Sequence, residues 1–276
     1  MIRPILFLIG CLPQSAVEPL SWFLGSIIYR LMPRRRRIAV RNISQSLGMG
    51  KVESKRLARR SFIHMVRVGF EVIRLPRILS KIRDLFVVEG ENRLREACGK
   101  AKGALVLVSH LGNWEYGAAW MAATGLPVAM VVRPPSSRVG RRYIENVRQK
   151  AGIETISRQG GLPGIVRALK AGKWVLVAMD QHTSKNDVTV EFFGRPARTV
   201  NVAAILALRY GVPLVPAFTW REGSRFRGEI LPNVEVKPSG NTDDDIRETT
   251  QRITDKIEQM IRKHPDQWLW MHRRWR

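Results

Sequence analysis

A short apolar run, Ala104 to Val108, ends at His110 and passes into Gly112 to Ala123, a segment rich in Ala, Trp and Met with helical spacing. Five consecutive aliphatic residues without alternation are the pattern of a strand buried on both faces. Such a strand needs helices above and below it, so the chain reads as α/β. His110 then stands at the strand's C-terminal end, where open α/β sheets place their ligands. Glu115 follows five residues later, in the first turn of the helix. A neutral imidazole there can accept a proton from a hydroxyl, and a carboxylate on its other nitrogen would fix the tautomer and stabilise the imidazolium. The helix N-terminus favours the neutral ring and the carboxylate the charged one. The plain alternative is a capping or core histidine beside an acid favoured by the helix dipole.

Further along the chain the pattern repeats. Leu85 to Glu89 reads as a strand and Glu91 to Ala97 as a helix stopped by Gly99. Pro127 to Arg133 is a strand that ends at Arg133, before Pro134 and Pro135. Residues 138–150 form a charged helix, Gly160 and Gly161 mark a loop, and Leu162 to Ala171 is a short helix. Trp174 to Met179 is a strand that delivers Asp180, Gln181 and His182 to the same rim. Residues 183–199, with the stretch EFFGRPARTV, read as a loop, Val200 to Tyr210 as a helix and VPLVPAF as a buried strand. Gly228 to Pro232 and Val234 to Lys237 suggest an antiparallel pair at the sheet edge, so the expected sheet is mixed, mostly parallel and flanked by helices. A final amphipathic helix starts at Asp243 to Asp245.

The N-terminal third differs in character. ILFLIGCL and LSWFLGSIIYRLM are apolar blocks separated by Pro13, Gln14, Glu18 and Pro19, and neither reaches the ~20 residues of a spanning helix. One broken span, a hairpin dipping into one leaflet and two core helices all fit. A cleaved signal peptide is not expected, because the basic cluster follows the apolar run. Residues 1–75 carry 14 basic groups against 3 acidic ones, so they read as a membrane-associating unit preceding a catalytic domain over 76–276. An amphipathic helix is expected over Val52 to Ile73, with His64 and Glu71 as packing and surface residues.

The net charge of +24 calls for a polyanionic partner: a membrane surface, nucleic acid or a phosphorylated substrate. Cys11 and Cys98 have no spacing partner and the five histidines form no ligand motif, so neither a metal nor another cofactor is expected. In the closing QWLWMHRRWR, Trp268, Trp270 and Trp275 alternate with Arg273, Arg274 and Arg276. That pattern suits a membrane interface or single-stranded nucleic acid. No nucleic-acid motif accompanies it, so no nucleic-acid partner is expected.

HLGNWE, the RP after the next strand, GG before a short helix, DQ at 180 and 181, FFGRPA, VPLVPAF and WLWMHRRWR occur in one order. Together they resemble the lipid A late acyltransferases of Gram-negative bacteria, within the glycerolipid acyltransferase superfamily, from about Leu20 to Arg276. The resemblance implies a glycerol-3-phosphate acyltransferase-like fold and acyl transfer from acyl carrier protein, or acyl coenzyme A, to a hydroxyl of a lipid A precursor. It places that activity at the cytoplasmic face of the inner membrane. By the same resemblance His110 and Glu115 match a His-x4-acid catalytic motif, and Arg133 and Asp180 fall near the site. Relatives acylate mannosylated phosphoinositides and lysolipids. Pro13 and Glu18 depart from the family's single N-terminal span.

In this reading His110 is the general base, Glu115 its orienter, and Arg133 or backbone amides near Gly112 and Asn113 the oxyanion donors. Asn113, Asp180 and Gln181 are substrate contacts, and Arg158, Arg195 and Arg198 bind acceptor phosphates. Ser109 lacks the strand, sharp turn and helix setting of a serine nucleophile, which favours direct transfer over an acyl-enzyme. A non-catalytic membrane scaffold is the alternative of another class.

Overall fold

Proline decides the N-terminus. The computed structural model, which describes residues 2–98, 103–133, 137–158, 161–184 and 187–275, begins with α1 (Ile2–Cys11) and α2 (Gln14–Leu31). Pro13, extended at φ −66°, ψ 155°, is the N-cap of α2 and ends the preceding turn. The two apolar blocks are therefore separate helices. No helix among the described residues is long and apolar enough to cross a membrane. Next come α3 (Pro33–Leu47), with Pro33 in its first turn and Gly48 left-handed at its end, and the long α4 (Lys51–Ile78). A Cβ on Gly25 of α2 would overlap the backbone of Ile63 in α4, so a glycine is what lets these helices touch. Phe7, Leu8, Trp22 and Phe23 remain exposed on the outer side.

The rest of the chain builds the sheet. In order it runs β1 (Phe86–Glu89), α5 (Glu91–Cys98), β2 (Ala104–Val108), α6 (Trp114–Ala123), β3 (Val128–Val132), α7 (Arg138–Lys150), β4 (Glu154–Ser157), α8 (Gly161–Lys170) and β5 (Trp174–Ala178). A hairpin follows, β6 (Asp187–Phe192) with β7 (Arg195–Val200), then α9 (Val202–Tyr210), β8 (Leu214–Glu222), β9 (Arg225–Ile230) and α10 (Thr242–Lys263). The main sheet has the order β1-β9-β8-β2-β5-β3-β4, and every neighbouring pair is parallel except β8–β9. Alternate residues of β2 go to opposite cores. Ala104 and Val106 meet α6 and α7 on one face, and Leu105 and Leu107 meet α8, α9 and α10 on the other. Helix α4 supplies Phe62 to the second core and Leu75 to the first.

Three expectations change. The antiparallel pair is β8 with β9, registered Trp220↔Arg227, and not Gly228 to Pro232 with Val234 to Lys237. Strand β8 runs on through Thr219 to Glu222, and Gly223, at φ 60°, turns the chain back at once. Neither partner of that pair is the sheet edge, because β1 lies outside β9. The EFFGRPARTV stretch is not a loop but the β6–β7 hairpin, turned by Phe193 (φ 54°) and Gly194 (φ 67°). Two residues of positive φ match a two-residue hairpin to the strand twist. Residues 154–157, ETIS, form the edge strand β4, which carries too few apolar positions to show a period. Gly99, Pro134, Pro135, Gly160 and Arg276, all used in the sequence reading, lie outside the described residues.

Candidate active site

Strands β2 and β5 lie side by side in parallel, with Val108 opposite Ala178. Two residues further along each chain stand His110 and Asp180. The shared register therefore brings an imidazole and a carboxylate together from positions 70 residues apart. The His110 Nδ1 is 2.8 Å from Asp180 Oδ1, and the His110 backbone N–H donates to Oδ2 at 2.8 Å. The Trp268 indole N–H donates to the same Oδ2, also at 2.8 Å. Asp180 is only 2% exposed, and burial on its own would raise its carboxyl. The neighbouring His110 charge and these donors outweigh burial and hold the carboxyl below its usual range. Conversely, burial would lower His110, and the Asp180 carboxylate overrides it to raise the imidazole. The ionised carboxylate accepts from Nδ1–H, which leaves Nε2 as the acceptor nitrogen. The Gln181 amide Nε2 lies 3.2 Å from it.

Glu115 is not the group hydrogen-bonded to His110. It points from α6 towards α7, where Arg148 grips it through Nε at 3.0 Å and Nη2 at 2.5 Å, with both side chains buried. A helix that leaves the strand end carries its first-turn acid over the sheet face, towards the next helix of that layer. Glu115 acts on His110 only through its field, which raises the imidazole after the larger effects of burial and Asp180.

The turn that carries His110 is clamped from α4. Gly112 sits at φ 59°, its N–H donates to the Gln267 carbonyl at 3.0 Å, and its carbonyl is 3.1 Å from His64 Nε2. Burial lowers the His64 pKa to about 4, so the ring is neutral and donates through Nε2–H. Asn113 caps α6 through the Tyr116 N–H and donates its amide to Glu71 Oε2 at 2.7 Å. Glu71, 1% exposed, is also paired with Arg221 of β8 and with Arg67 at 3.5 Å. It is thus a buried ion-pair centre and not the surface residue expected from the helical pattern.

The C-terminal segment, whose pattern suits a membrane interface or single-stranded nucleic acid, is instead the floor of this site. Trp268 is 1% exposed, Trp270 is fully buried and Arg274 is buried. Leu111 and Trp268 form an antiparallel bridge beside His110. The Trp270 indole donates to Pro265 O, the Trp275 indole to Phe192 O, and Arg274 to Arg198 O and Thr199 Oγ1. Phe192 and Phe193, at the turn of the β6–β7 hairpin, pack against Trp268 and Trp275. The aromatic rings interleaved with arginine are a packed cluster because the hairpin supplies apolar faces and each indole N–H finds an acceptor. No sequence signal announced the Trp268–Asp180 bond, which rests on contacts between residues 88 apart.

Trp268→Phe keeps the ring and removes one donor to Asp180. The carboxylate then bears more charge towards His110, so the imidazole pKa rises. With the neutral imidazole as the base, the role proposed below, activity would be lost as pH falls through that value, and the acid limb of the pH–rate profile is expected to move to higher pH. Turnover at the optimum should fall about tenfold, the value of one hydrogen bond to a charged group. A substitution that merely loosened packing would lower the melting temperature and leave the acid limb in place.

A model of the bacterial lipid A biosynthesis acyltransferases matches residues 3–276. The chain belongs to this family. It is 28% identical over 216 residues to a phosphatidylinositol mannoside acyltransferase of Mycobacterium tuberculosis (strain CDC 1551 / Oshkosh), an alignment covering 74% of this chain and 66% of that one. It is 28% identical to a lipid A biosynthesis palmitoleoyltransferase of Escherichia coli K12, over 71% of this chain and 63% of the other. To the lipid A biosynthesis lauroyltransferase of the same strain it is 25% identical, over 99% and 89%. The matches to the mycobacterial protein and to the palmitoleoyltransferase thus span just under two thirds of those relatives.

Within this acyltransferase-family chain the other expected site residues are dispersed. Gln181 stands at His110 Nε2, and Arg158, on the same rim, donates to Thr183 Oγ1 at 3.1 Å. Arg133 is exposed at the end of β3. Arg195 stacks on Trp275 and donates to Gln45 Oε1 at 2.6 Å and Ser46 Oγ at 2.7 Å. Arg198 forms a two-point pair with Asp187, at 3.0 and 2.8 Å. Arg195 thus ties the hairpin to α3, Arg198 joins the hairpin's own two strands, and the Gly112 N–H is already used by Gln267.

Proposed function

We propose that this chain is a membrane-associated O-acyltransferase, moving a fatty acyl group from the thioester of acyl carrier protein or coenzyme A to a hydroxyl of a phosphorylated lipid A precursor. The observation that carries the reading is the His110–Asp180 pair at the sheet's C-terminal end, in a chain matched from residue 3 to 276 by the family model. His110 Nε2 takes the proton of the acceptor hydroxyl while Asp180 holds Nδ1–H and stabilises the imidazolium. The hydroxyl oxygen attacks the thioester carbon, the C–O bond forms, the C–S bond breaks, and the leaving thiolate takes the proton back from His110. The products are an ester and a free thiol. The Gln181 amide is the nearest donor for the oxygen that becomes negative, and Arg158 stands on the same rim. An apolar crevice beneath α6, lined by Phe86, Val108, Leu111, Trp114 and Phe218, adjoins the His110 turn; its open space, about 30 Å³, would take an acyl chain only if its walls moved apart.

Residues 1–75 are the membrane-facing part and 76–276 carry the chemistry, at the cytoplasmic face of the inner membrane. Supporting this, Phe7, Leu8, Trp22 and Phe23 are exposed, and the Arg77 guanidinium lies over Phe7 and that of Arg59 over Trp22. Exposed apolar residues beside basic ones suit an anionic bilayer. The identity to mycobacterial enzymes named for phosphatidylinositol mannoside supports a second reading of the acceptor, with the same chemistry.

The test is transfer by detergent-solubilised protein, with labelled acyl carrier protein and acyl coenzyme A offered against a lipid A precursor, a phosphatidylinositol mannoside and lysolipids. Transfer to the lipid A precursor is the expected result. Transfer to the mannoside alone would change the pathway, and transfer to no lipid would remove the proposal.

A further inference from the structure

Helices α2, α3 and α4 enclose a cleft of about 710 Å³, lined by Tyr29, Arg36, Arg37, Arg41, Lys51 and Lys55. Between residues 30 and 60 there are 11 basic side chains and one acidic one, Glu53. None of the cleft's five cations is in an ion pair among the described residues, whereas Arg195 and Arg198, expected to hold phosphates, are already bound to other side chains. Arg41 is near enough to Arg195 to lower its pKa, an effect second to that of burial. The cleft is thus a concentrated positive field without its own counter-charge. Guanidinium forks and ammonium groups together match the oxygens of phosphate.

The surroundings select the source of that phosphate. Leu31, 74% exposed, and Met32, 42% exposed, close α2 immediately before the helix that bears Arg36, Arg37 and Arg41. Trp22 and Phe23 continue the apolar surface along α2. An apolar ledge joined to a cationic wall fits a lipid with its head group at the interface, whereas an acidic protein or a nucleic acid would leave the ledge uncovered. The cleft is also fixed to the catalytic side. Arg35 donates to Met271 O at 3.2 Å, and Asn42 to the carbonyls of Trp270 and His272 at 3.0 Å. The His272 ring accepts from the His182 N–H, two residues beyond Asp180.

We infer that the cleft bounded by Arg36, Arg37, Arg41, Lys51 and Lys55 binds a phosphate of the lipid acceptor and so positions that lipid relative to His110. This rests on the acyltransferase reading for its purpose, though not for the binding itself.

The test compares Arg36→Gln/Arg41→Gln/Lys55→Gln with a control of equal charge loss on exposed α7 positions, Arg138→Gln/Arg142→Gln/Lys150→Gln. Flotation is measured with phosphatidylcholine vesicles carrying a bis-phosphorylated lipid A precursor, the same precursor stripped of phosphate, or phosphatidylglycerol. The cleft variant is expected to lose affinity for the phosphorylated-precursor vesicles about tenfold to a hundredfold more than the control does. Its binding to the other two should follow the control. If transfer is active, KM for the phosphorylated acceptor rises while kcat is kept, and the preference over the dephosphorylated lipid disappears. Equal losses on phosphatidylglycerol and on the precursor would make the cleft a bulk-lipid contact and overturn the inference, as would equal losses in the cleft and control variants. Vesicle binding is read without catalysis, so absent transfer with the expected flotation pattern would sink the acyltransferase reading and leave the cleft standing.

Discussion

Asp180→Asn is expected to reduce turnover about 10⁴-fold while the protein stays folded, with His110→Ala at least as severe. Asparagine at 180 keeps the shape, but the group facing His110 becomes an amide. When its NH₂ faces Nδ1, that nitrogen must accept, the proton moves to Nε2, and the base nitrogen is closed. The indole of Trp268 and the His110 backbone N–H, which both donate to Oδ2, favour that orientation because they need the amide oxygen. Single-turnover acyl transfer with far-UV circular dichroism as a check on folding measures this. An Asp180→Asn enzyme within tenfold of wild type would remove Asp180 from the mechanism. Glu115→Gln should leave most of the turnover, because Glu115 reaches His110 only through space.

The largest stability effect is expected at Glu115 itself. Glu115→Ala leaves the Arg148 guanidinium buried between α6 and α7 without its carboxylate, and breaking a buried pair from one side costs about 3–5 kcal/mol. Replacing both residues, Glu115→Leu with Arg148→Leu, should recover most of that loss, because the pair's attraction largely repays its desolvation and little is forfeited when both charges go. Urea denaturation of the two single variants and the double variant gives the coupling directly. A Glu115→Ala loss below about 1 kcal/mol would show that Arg148 finds water or another acceptor.

These two experiments bear on where sequence reasoning went furthest and where it stopped. The position of His110 at a strand end was legible because a five-residue aliphatic run has one plausible place, between two layers. Asp180 and Gln181 were legible as rim residues for the same reason. Their partnership was not, because strand order is set by crossovers and packing, and β5 returns between β2 and β3 only after β4 has formed the edge. Glu115 meets Arg148 and not His110, because sequence proximity says nothing of direction. Its side chain leaves along the helix face, over the sheet and towards Arg148.

The terminal tryptophans show the same limit from the other side. Composition gives an identical pattern for rings that meet a bilayer and rings that meet each other, and only the β6–β7 hairpin, whose Phe193 and Gly194 turn delivers two aromatic rings, decides between them. Local chemistry therefore determined the α/β class, the strand ends and the basic character of the N-terminal helices. Which carboxylate meets His110, which arginines stay free for a ligand and which tryptophans are buried were decided by tertiary contacts, because each depends on register and crossover between segments far apart in the chain.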